Sequence, residues 1–345
     1  MGINSILLNK IKDFLVDYGC YEDEIERFLT GGWGFLRRQK EAISILEGII
    51  TSHGKEELLG PIVELARVEI GIRLLKPRAR DHVVHALLSF LLGIYINEYV
   101  MKSSGCGVGA FQWKLAGLFH DIGYPAAFAN DILKPFSFQI NTIKQNLGLE
   151  VPDVFFKVVP DGLDHLTSGV DSLQLIQQQL DNWGLAVNAR LEYSEMLDSG
   201  EICHGIMSSL SVLYVVDLMY QKYNFSRRYQ AIFDPNGSNW NQSIFETDVV
   251  PACSAIFVHN LPKRCFKDSK LNKQQAPLAF LLRLSDCLQD WDRPSAENPS
   301  GILNSKFKID NRDGKLKFTV TDHVCRSKIA REIQDTLDTS DVDLL

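Results

Sequence analysis

Apolar residues recur at three- and four-residue intervals along most of the chain, with polar residues between them, and this period predicts helices. Before residue 110 the pattern covers residues 4–18, 22–30, 38–51, 55–74 and 78–101. After it, the pattern covers a helix ending at residues 120–121, a helix ending at residue 146, and residues 167–182, 187–197, 205–223, 245–260 and 276–291. The chain is therefore expected to be built mainly from helices.

The period changes near the C-terminus, where residues 305–321 alternate polar and apolar around Asn-Arg-Asp-Gly. Alternation around such a turn sequence predicts a β-hairpin. A polar helix over 327–338 and an acidic tail follow. The predicted fold is all-α, a helical bundle with a small C-terminal β-hairpin. Its expected divisions are an N-terminal helical region packing on the core (1–77), the core (78–300, with an insertion near 224–243), and the hairpin with the terminal helix (301–345).

Composition and charge narrow the class of protein. The 345 residues are 45% hydrophobic and 23% charged, which is typical of a globular chain, and the net charge is −7. This charge argues against long nucleic acid or an anionic membrane as a partner. The longest apolar stretch, 83–96, is expected to be too short for a bilayer. Seven cysteines without a Cys-x-x-Cys pair favour reduced thiols and a cytoplasmic location.

Five of the eight histidines lie in the apolar helices or at their ends: His82, His85, His120, His204 and His259. A lone histidine there is usually a core residue held by hydrogen bonds. Asp286, however, also sits within an apolar run, and a buried carboxylate needs a partner. Arg283, one turn earlier, is one such partner and a divalent metal ion is another. The combination of histidines and carboxylates favours the metal.

The spacing allows these side chains to converge on an ion. His82 and His85 share one helical face, so either could point inward. His120 and Asp121 can reach one ion only if the helix ends there, and Gly123 with Pro125 supplies that ending. An aspartate in this position can bridge two metals. Mixed imidazole and carboxylate ligands favour Mn, Fe, Ni, Co or Zn.

The order His, His-Asp, Asp resembles the HD superfamily of metal-dependent phosphohydrolases, closest to the HD-type domains of bacterial conflict and signalling systems. The segments that carry the resemblance span about residues 78–294 and are, in order, RARDHVVHALLSFLLG, LAGLFHDIGYP, CHGIMSSL, AIFVHN and PLAFLLRLSDCLQDWDRP. This resemblance implies an HD-type core and metal ligands in two sets. The first ion would take His85, His120, Asp121 and Asp286, and a second would take Asp121, His204 and His259. His82 is the alternative to His85, and Asn260 is either a hydrogen-bond donor behind the ligands or a helix cap.

The same resemblance implies hydrolysis of a phosphoester or phosphoanhydride bond by metal-activated hydroxide, with Asp121 and His120 at the catalytic centre. A nucleotide or another phosphorylated small molecule would be the substrate, and cyclic or short oligonucleotides are favoured. Candidate phosphate- or substrate-binding side chains are Arg80, Lys114, Tyr124 and Arg293. For the cations Arg80, Lys114 and Arg293, a solvated surface residue is the more common interpretation. A homo-oligomer joined at the hairpin edge is a further expectation.

One departure from the family keeps a second function open. Many HD enzymes carry lysine directly after the sequence His-Asp-Ile-Gly, and this chain has Tyr124 there. Tyrosine can donate a hydrogen bond but brings no positive charge. A regulatory module that binds metal or nucleotide with little turnover is therefore the alternative to an enzyme, and a purely structural helical scaffold is a third interpretation.

Overall fold

A computed structural model describes residues 2–51, 60, 63–65, 67–68, 81–225, 244–291, 307–312, 315–321, 323–339 and 342–344. The described ranges are mostly helical, with a small antiparallel hairpin near the C-terminus. The predicted fold class, all-α with a C-terminal β-hairpin, is confirmed. The division into 1–77, 78–300 and 301–345 stays a prediction, and most of the predicted helix 55–74 and of the 224–243 insertion lies outside the described residues.

The helices of the described ranges are α1 (Ile3–Ile11), α2 (Glu22–Thr30), α3 (Phe35–Thr51), α4 (His82–Ile96), α5 (Ala110–Phe119), α6 (Tyr124–Asn146), α7 (Ser172–Asn182), α8 (Ala189–Ser199), α9 (His204–Phe225), α10 (Val250–His259), α11 (Pro277–Leu288) and α12 (His323–Thr336). The strands are β1 (Phe307–Arg312), β2 (Lys315–Val320) and β3 (Val342–Leu344). Shorter 3₁₀ or π segments extend or connect several of the helices.

Helix α4 is the centre of the fold, because every one of its residues is buried and α1, α3, α5 and α11 pack around it. Gly93 lets α5 come close. A Cβ there would lie 1.8 Å from the ring of Trp113, and the Trp113 indole N–H donates to the Phe90 carbonyl at 3.1 Å. This packing fixes α5, and with it the residues that follow its C-terminus.

Helix α4 is also longer than its apolar run suggested. It continues as a π segment, Asn97–Met101, and a 3₁₀ turn, Lys102–Ser104. The resulting 82–104 segment is long and apolar enough to cross a membrane, so the expectation that its length forbids this was wrong. Its most apolar window is nevertheless 89% buried inside the structure, as is usual for a core helix.

A second layer of helices brings the remaining ends together. Helix α10 packs against α9, α11, α5 and α7, and all its residues except Pro251 are buried. The first turn of α4 and the ends of α5, α9, α10 and α11 therefore converge. The five elements contribute the histidines and aspartates singled out in the sequence.

The C-terminal sheet has the strand order β1-β2-β3. Strands β1 and β2 are antiparallel, with Phe307 opposite Val320, and β3 runs parallel to β2, with Val342 opposite Leu316. The acidic tail was not expected to form a strand. Because β3 covers the outer edge of β2, that hairpin edge is occupied within the chain.

Helix boundaries differ from the periodic pattern where local polar groups intervene. The segment predicted over 167–182 becomes helical only at Ser172, because the Asp171 side chain accepts the Gln174 N–H at 3.0 Å and caps α7. Gly169, with φ of 83°, turns the chain just before this cap. A cap of this kind is visible in a sequence only once the preceding turn is known.

Candidate metal centre

A close approach between α5 and α9 positions the central carboxylate. Helix α5 ends at Phe119, and the turn that follows brings Gly123 against the first turns of α9. The Gly123 N–H donates to Ser208 Oγ at 2.8 Å, and a Cβ on Gly123 would lie 2.5 Å from the His204 carbonyl oxygen. Only glycine fits here, so the Asp121 side chain is held facing His204.

The first group of ligand atoms comes from His85, His120 and Asp121, whose donor atoms lie within 4.8 Å of one another. Asp121 Oδ2 is 3.8 Å from His85 Nε2 and 3.6 Å from His120 Nε2. Asp286 joins from α11, with its Oδ1 at 2.8 Å from His85 Nε2. These are the four residues that the sequence suggested for a first ion.

The second group comes from Asp121, His204 and His259, whose donor atoms also lie within 4.8 Å of one another. Here the other carboxylate oxygen is used: Asp121 Oδ1 is 3.2 Å from His204 Nε2 and 3.8 Å from His259 Nε2. Asp121 thus presents one oxygen to each group. The arrangement can hold a divalent metal ion.

The two buried histidines at the helix ends are oriented by backbone carbonyls that accept a hydrogen bond from Nδ1. His120 Nδ1 lies 3.0 Å from the Gly117 carbonyl oxygen, and His259 Nδ1 lies 2.6 Å from that of Ile256. A carbonyl accepts only from an N–H, so Nδ1 carries the proton and Nε2 offers its lone pair. This is the tautomer that a metal ligand needs.

The other two histidines are held by side-chain amides. Gln289 Oε1 is hydrogen-bonded to His85 Nδ1, while the amide nitrogen of Asn260, Nδ2, lies 3.1 Å from His204 Nδ1. An amide can present either its oxygen or its nitrogen. With its oxygen toward Nδ1, Asn260 would leave His204 Nε2 free for a metal. Sequence reasoning missed Gln289, which stands three residues after Asp286, just beyond the end of α11.

The charge states of the cluster suit a cation. Burial raises the pKa of Asp121, but the neighbouring His120, and then His204 and His259, hold this pKa well below its usual range. Burial lowers the pKa of His259 to about 4. At neutral pH the cluster therefore contains an ionised carboxylate beside a neutral imidazole, which is the chemistry of a transition-metal site.

One buried atom tests whether a metal fits. His259 Nε2 has no hydrogen-bond partner among the described residues, and the nearest Asp121 oxygen, at 3.8 Å, is beyond hydrogen-bond range. Leaving a buried polar atom without a partner costs about 1–3 kcal/mol. A metal ion would accept this lone pair, so the histidines and aspartates of the cluster fit a bound metal.

His82 and Tyr124 form a separate pair beside the cluster. Their rings stack with centroids 3.6 Å apart, and Tyr124 also meets the His204 ring edge at 6.2 Å. His82 belongs to neither ligand group of the described residues, so the structure places His85 among the ligand atoms and His82 beside them. Tyr124 lies where the family carries lysine, next to a candidate ligand.

Of the three predicted phosphate-binding cations, the structure describes only Lys114. Lys114 is buried on α5, where burial lowers its pKa to about 8 and the Cys20 thiol partly offsets this. A role in phosphate binding stays a prediction for Lys114. Arg80 and Arg293 lie outside the described residues, and the structure does not bear on them.

Comparisons with known protein families, curated proteins and solved structures gave no match to this chain. What the fold and the site define is a mostly helical protein with a buried His/Asp cluster able to hold a metal ion. That cluster is compatible with an HD-type site. The resemblance to the HD superfamily rests on the motif residues and on their convergence.

Proposed function

We propose that this protein is an HD-type metal-dependent phosphohydrolase. The observation that carries the proposal is the position of Asp121, whose two oxygens face two different pairs of histidines. A hydrogen-bonded core aspartate needs only one such pair. A carboxylate placed between two groups of imidazole nitrogens is suited to bridging two cations.

Residues His85, His120, Asp121 and Asp286 would hold one ion, and Asp121, His204 and His259 a second; Mn, Fe, Ni, Co and Zn match these ligands. Bound ions of this kind polarise a phosphoryl oxygen and make water nucleophilic near neutral pH. The protein itself contributes an ionised Asp121, fixed imidazole tautomers and a dry surrounding core. His120 and Asp121 would thereby define the catalytic centre.

The exposure of the ligand side chains indicates where substrate would enter. His85, His120, Asp121 and His259 are at most 5% exposed, whereas Asp286 is 20% and His204 is 23% exposed. The phosphoryl group would approach between these last two. Tyr124, against the His204 ring, could then donate its hydroxyl hydrogen to a phosphate oxygen or to the leaving group.

The proposed substrate is a nucleotide with a phosphoester or phosphoanhydride bond, with cyclic and short oligonucleotides favoured. The net charge of −7 disfavours long nucleic acid, which is bound through many phosphate contacts from basic side chains. The second candidate function is a regulatory module that binds metal or nucleotide with little turnover. Tyr124 favours it, because a neutral hydroxyl stabilises developing charge less than an ammonium does.

The test is metal content by elemental mass spectrometry together with hydrolysis of bis(p-nitrophenyl) phosphate and a panel of cyclic and short oligonucleotides. We expect about two transition-metal ions per chain and turnover in the native protein, with both lost in Asp121→Ala. Asp217→Asn is the matched control. Asp217 is equally buried and bonded to Thr167 and Ser168, and it lies on α9 roughly 20 Å along the helix from His204.

The results of these assays distinguish the phosphohydrolase from the regulatory module and the scaffold. Metal without turnover of any phosphate ester would favour the regulatory module. A protein that binds no ion after incubation with Mn, Ni or Zn would overturn the phosphohydrolase and leave a helical module that binds nucleotide without metal, or a scaffold. Loss of metal in Asp217→Asn as well would show that the effect of Asp121→Ala is general unfolding.

A further inference from the structure

The second half of α6 has its polar face turned inward. The chain returns along it as an extended segment, 149–157, and Asn141 binds this segment through two hydrogen bonds, donating to the Val154 carbonyl at 3.1 Å and accepting its N–H at 2.8 Å. Lys144, although buried, donates to the Pro152 carbonyl. The inner contacts of this helix are thus largely hydrogen bonds.

The opposite face of the same helix is apolar and exposed. Ile132, Phe136, Ile143 and Leu147 are between 44% and 66% exposed. Their spacing of four, seven and four residues places them in one stripe along the helix. A surface helix in water normally has the reverse arrangement, with its apolar stripe toward the core.

The exposed apolar surface is concentrated in this region, the arm, which comprises residues 131–157. Of the 18 large apolar residues that are exposed in the described part of the chain, nine lie between 132 and 156, including Phe138 at 72% and Phe155 at 80%. Summed over the stripe, Phe138 and the return segment, these side chains expose on the order of 1,000 Å². This area is close to the about 800 Å² that each partner contributes to a stable interface.

The charges of the arm indicate what could cover it. It carries three acidic and three basic residues, so it is neutral within a chain of net charge −7: Asp131, Lys134, Lys144, Glu150, Asp153 and Lys157. A surface that docks on anionic lipid carries an excess of lysine and arginine, which the arm lacks. A neutral apolar surface is also where two equally acidic chains can meet with least repulsion.

We propose that the arm is the interface with a second copy of this chain, with the two α6 helices antiparallel about a two-fold axis. The stripe has the same spacing read in either direction, so antiparallel pairing sets Ile132 opposite Leu147 and Phe136 opposite Ile143. Each contact then occurs twice, as a two-fold interface requires. The contact buries the face that α6 leaves in water and needs no metal.

The mass of the full-length protein by sedimentation equilibrium tests the proposal. We expect twice 39.0 kDa at micromolar concentration. Phe136→Glu combined with Ile143→Glu should raise the dimer dissociation constant by about 100-fold or more, because it places charges at the centre of the interface. Leu36→Glu combined with Leu191→Glu is the matched control, since it changes two apolar residues of similar exposure outside the arm and should leave the dimer intact.

The antiparallel orientation has its own test. Phe136→Lys and Ile143→Glu, each alone, should weaken the dimer, and an equimolar mixture should restore it by pairing the lysine of one chain with the glutamate of the other. A native protein that stays at 39.0 kDa at 100-fold higher concentration overturns the proposal. So does a dimer that survives Phe136→Glu with Ile143→Glu. No restoration in the mixture overturns the antiparallel pairing, and far-UV circular dichroism establishes that each variant is folded.

Discussion

Globular proteins usually bury apolar side chains and leave polar ones in water, and the metal centre and the arm depart from this arrangement in opposite ways. At the centre, charged and polar side chains occupy the core, and Asp121 is buried among four histidines. Along the arm, large apolar side chains such as Phe155 face water while polar Asn141 and Lys144 face inward. Either arrangement costs free energy in an isolated chain.

The difference between the two regions is in how far the chain itself compensates for that cost. At the centre almost every inner atom already has a partner, and His259 Nε2 is the buried exception. An ion completes that site. On the arm the inner Asn141 and Lys144 are hydrogen-bonded, but the outer stripe stays about half exposed even where Phe136 lies against Phe156, with ring centroids 6.0 Å apart, so we infer that another molecule covers it. An unpaired buried nitrogen thus indicates a metal ion, and an exposed apolar stripe indicates a second protein chain.

The largest expected effect separates His85 from His82. His85→Ala removes a nitrogen that lies among the Asp121 and Asp286 oxygens, so metal content should fall and phosphodiester hydrolysis should drop on the order of 10³-fold or more. His82→Ala is the matched control, because that imidazole stacks on Tyr124 instead. Elemental analysis and single-turnover rates measure both. Equal losses in the two variants would contradict the assignment.

The two regions should also respond independently. Asp121→Ala should abolish metal binding yet sediment as a dimer, whereas Phe136→Glu with Ile143→Glu should sediment at 39.0 kDa and keep its metal. The reason is that the stripe begins more than two helical turns after Tyr124 and shares no residue with the ligand groups. Loss of metal on dissociation would show instead that the interface shapes the centre.

Lys114, buried on α5, offers a test of stability in the core outside both regions. Burial lowers its pKa from 10.5 to about 8. Between pH 10.5 and 8, Lys114 is therefore protonated in the unfolded chain but not in the folded chain. Stability from this group is therefore highest above pH 10.5, is lost as the pH falls to 8, and stays lost below. Lys114→Met should raise the free energy of unfolding at pH 7 by about 3 kcal/mol.

Urea unfolding at pH 7 and pH 10 measures this gain, and it should shrink at the higher pH. Hydrolysis by the same variant tests the predicted phosphate contact. A protein that is stabilised but has lost turnover would show that Lys114 binds substrate, and an unchanged free energy of unfolding at both values of pH would refute the burial argument.

The smallest expected effect comes from removing a hydrogen bond that orients a candidate ligand. Gln289→Leu removes the hydrogen bond to His85 Nδ1, and outer contacts of this kind typically contribute about 10- to 100-fold in metal affinity. Competition with a chelator measures the change. Gln112→Leu, which removes a glutamine bonded to the Thr247 carbonyl on the surface, should leave the affinity unchanged. An equal affinity in Gln289→Leu would show that His85 is oriented by packing alone.

Much of this protein could be predicted from local patterns. The three- to four-residue period identified the helices, and the Asn-Arg-Asp-Gly turn identified the hairpin, because both depend on neighbouring residues. The candidate ligands could also be picked out, since a histidine or aspartate in an apolar run needs a polar partner wherever it is buried. These features follow from residue type and spacing alone.

Only the tertiary structure decided the features that depend on residues far apart in the chain. The choice of His85 over His82 rests on a contact with Asp286, 201 residues away, and on the stacking of Tyr124 against His82. That Asp121 presents one oxygen to each pair of histidines depends on Gly123 packing against α9. The inverted face of α6 depends on where the return segment lies, because a helical period shows that two faces differ but not which of them the rest of the chain will cover.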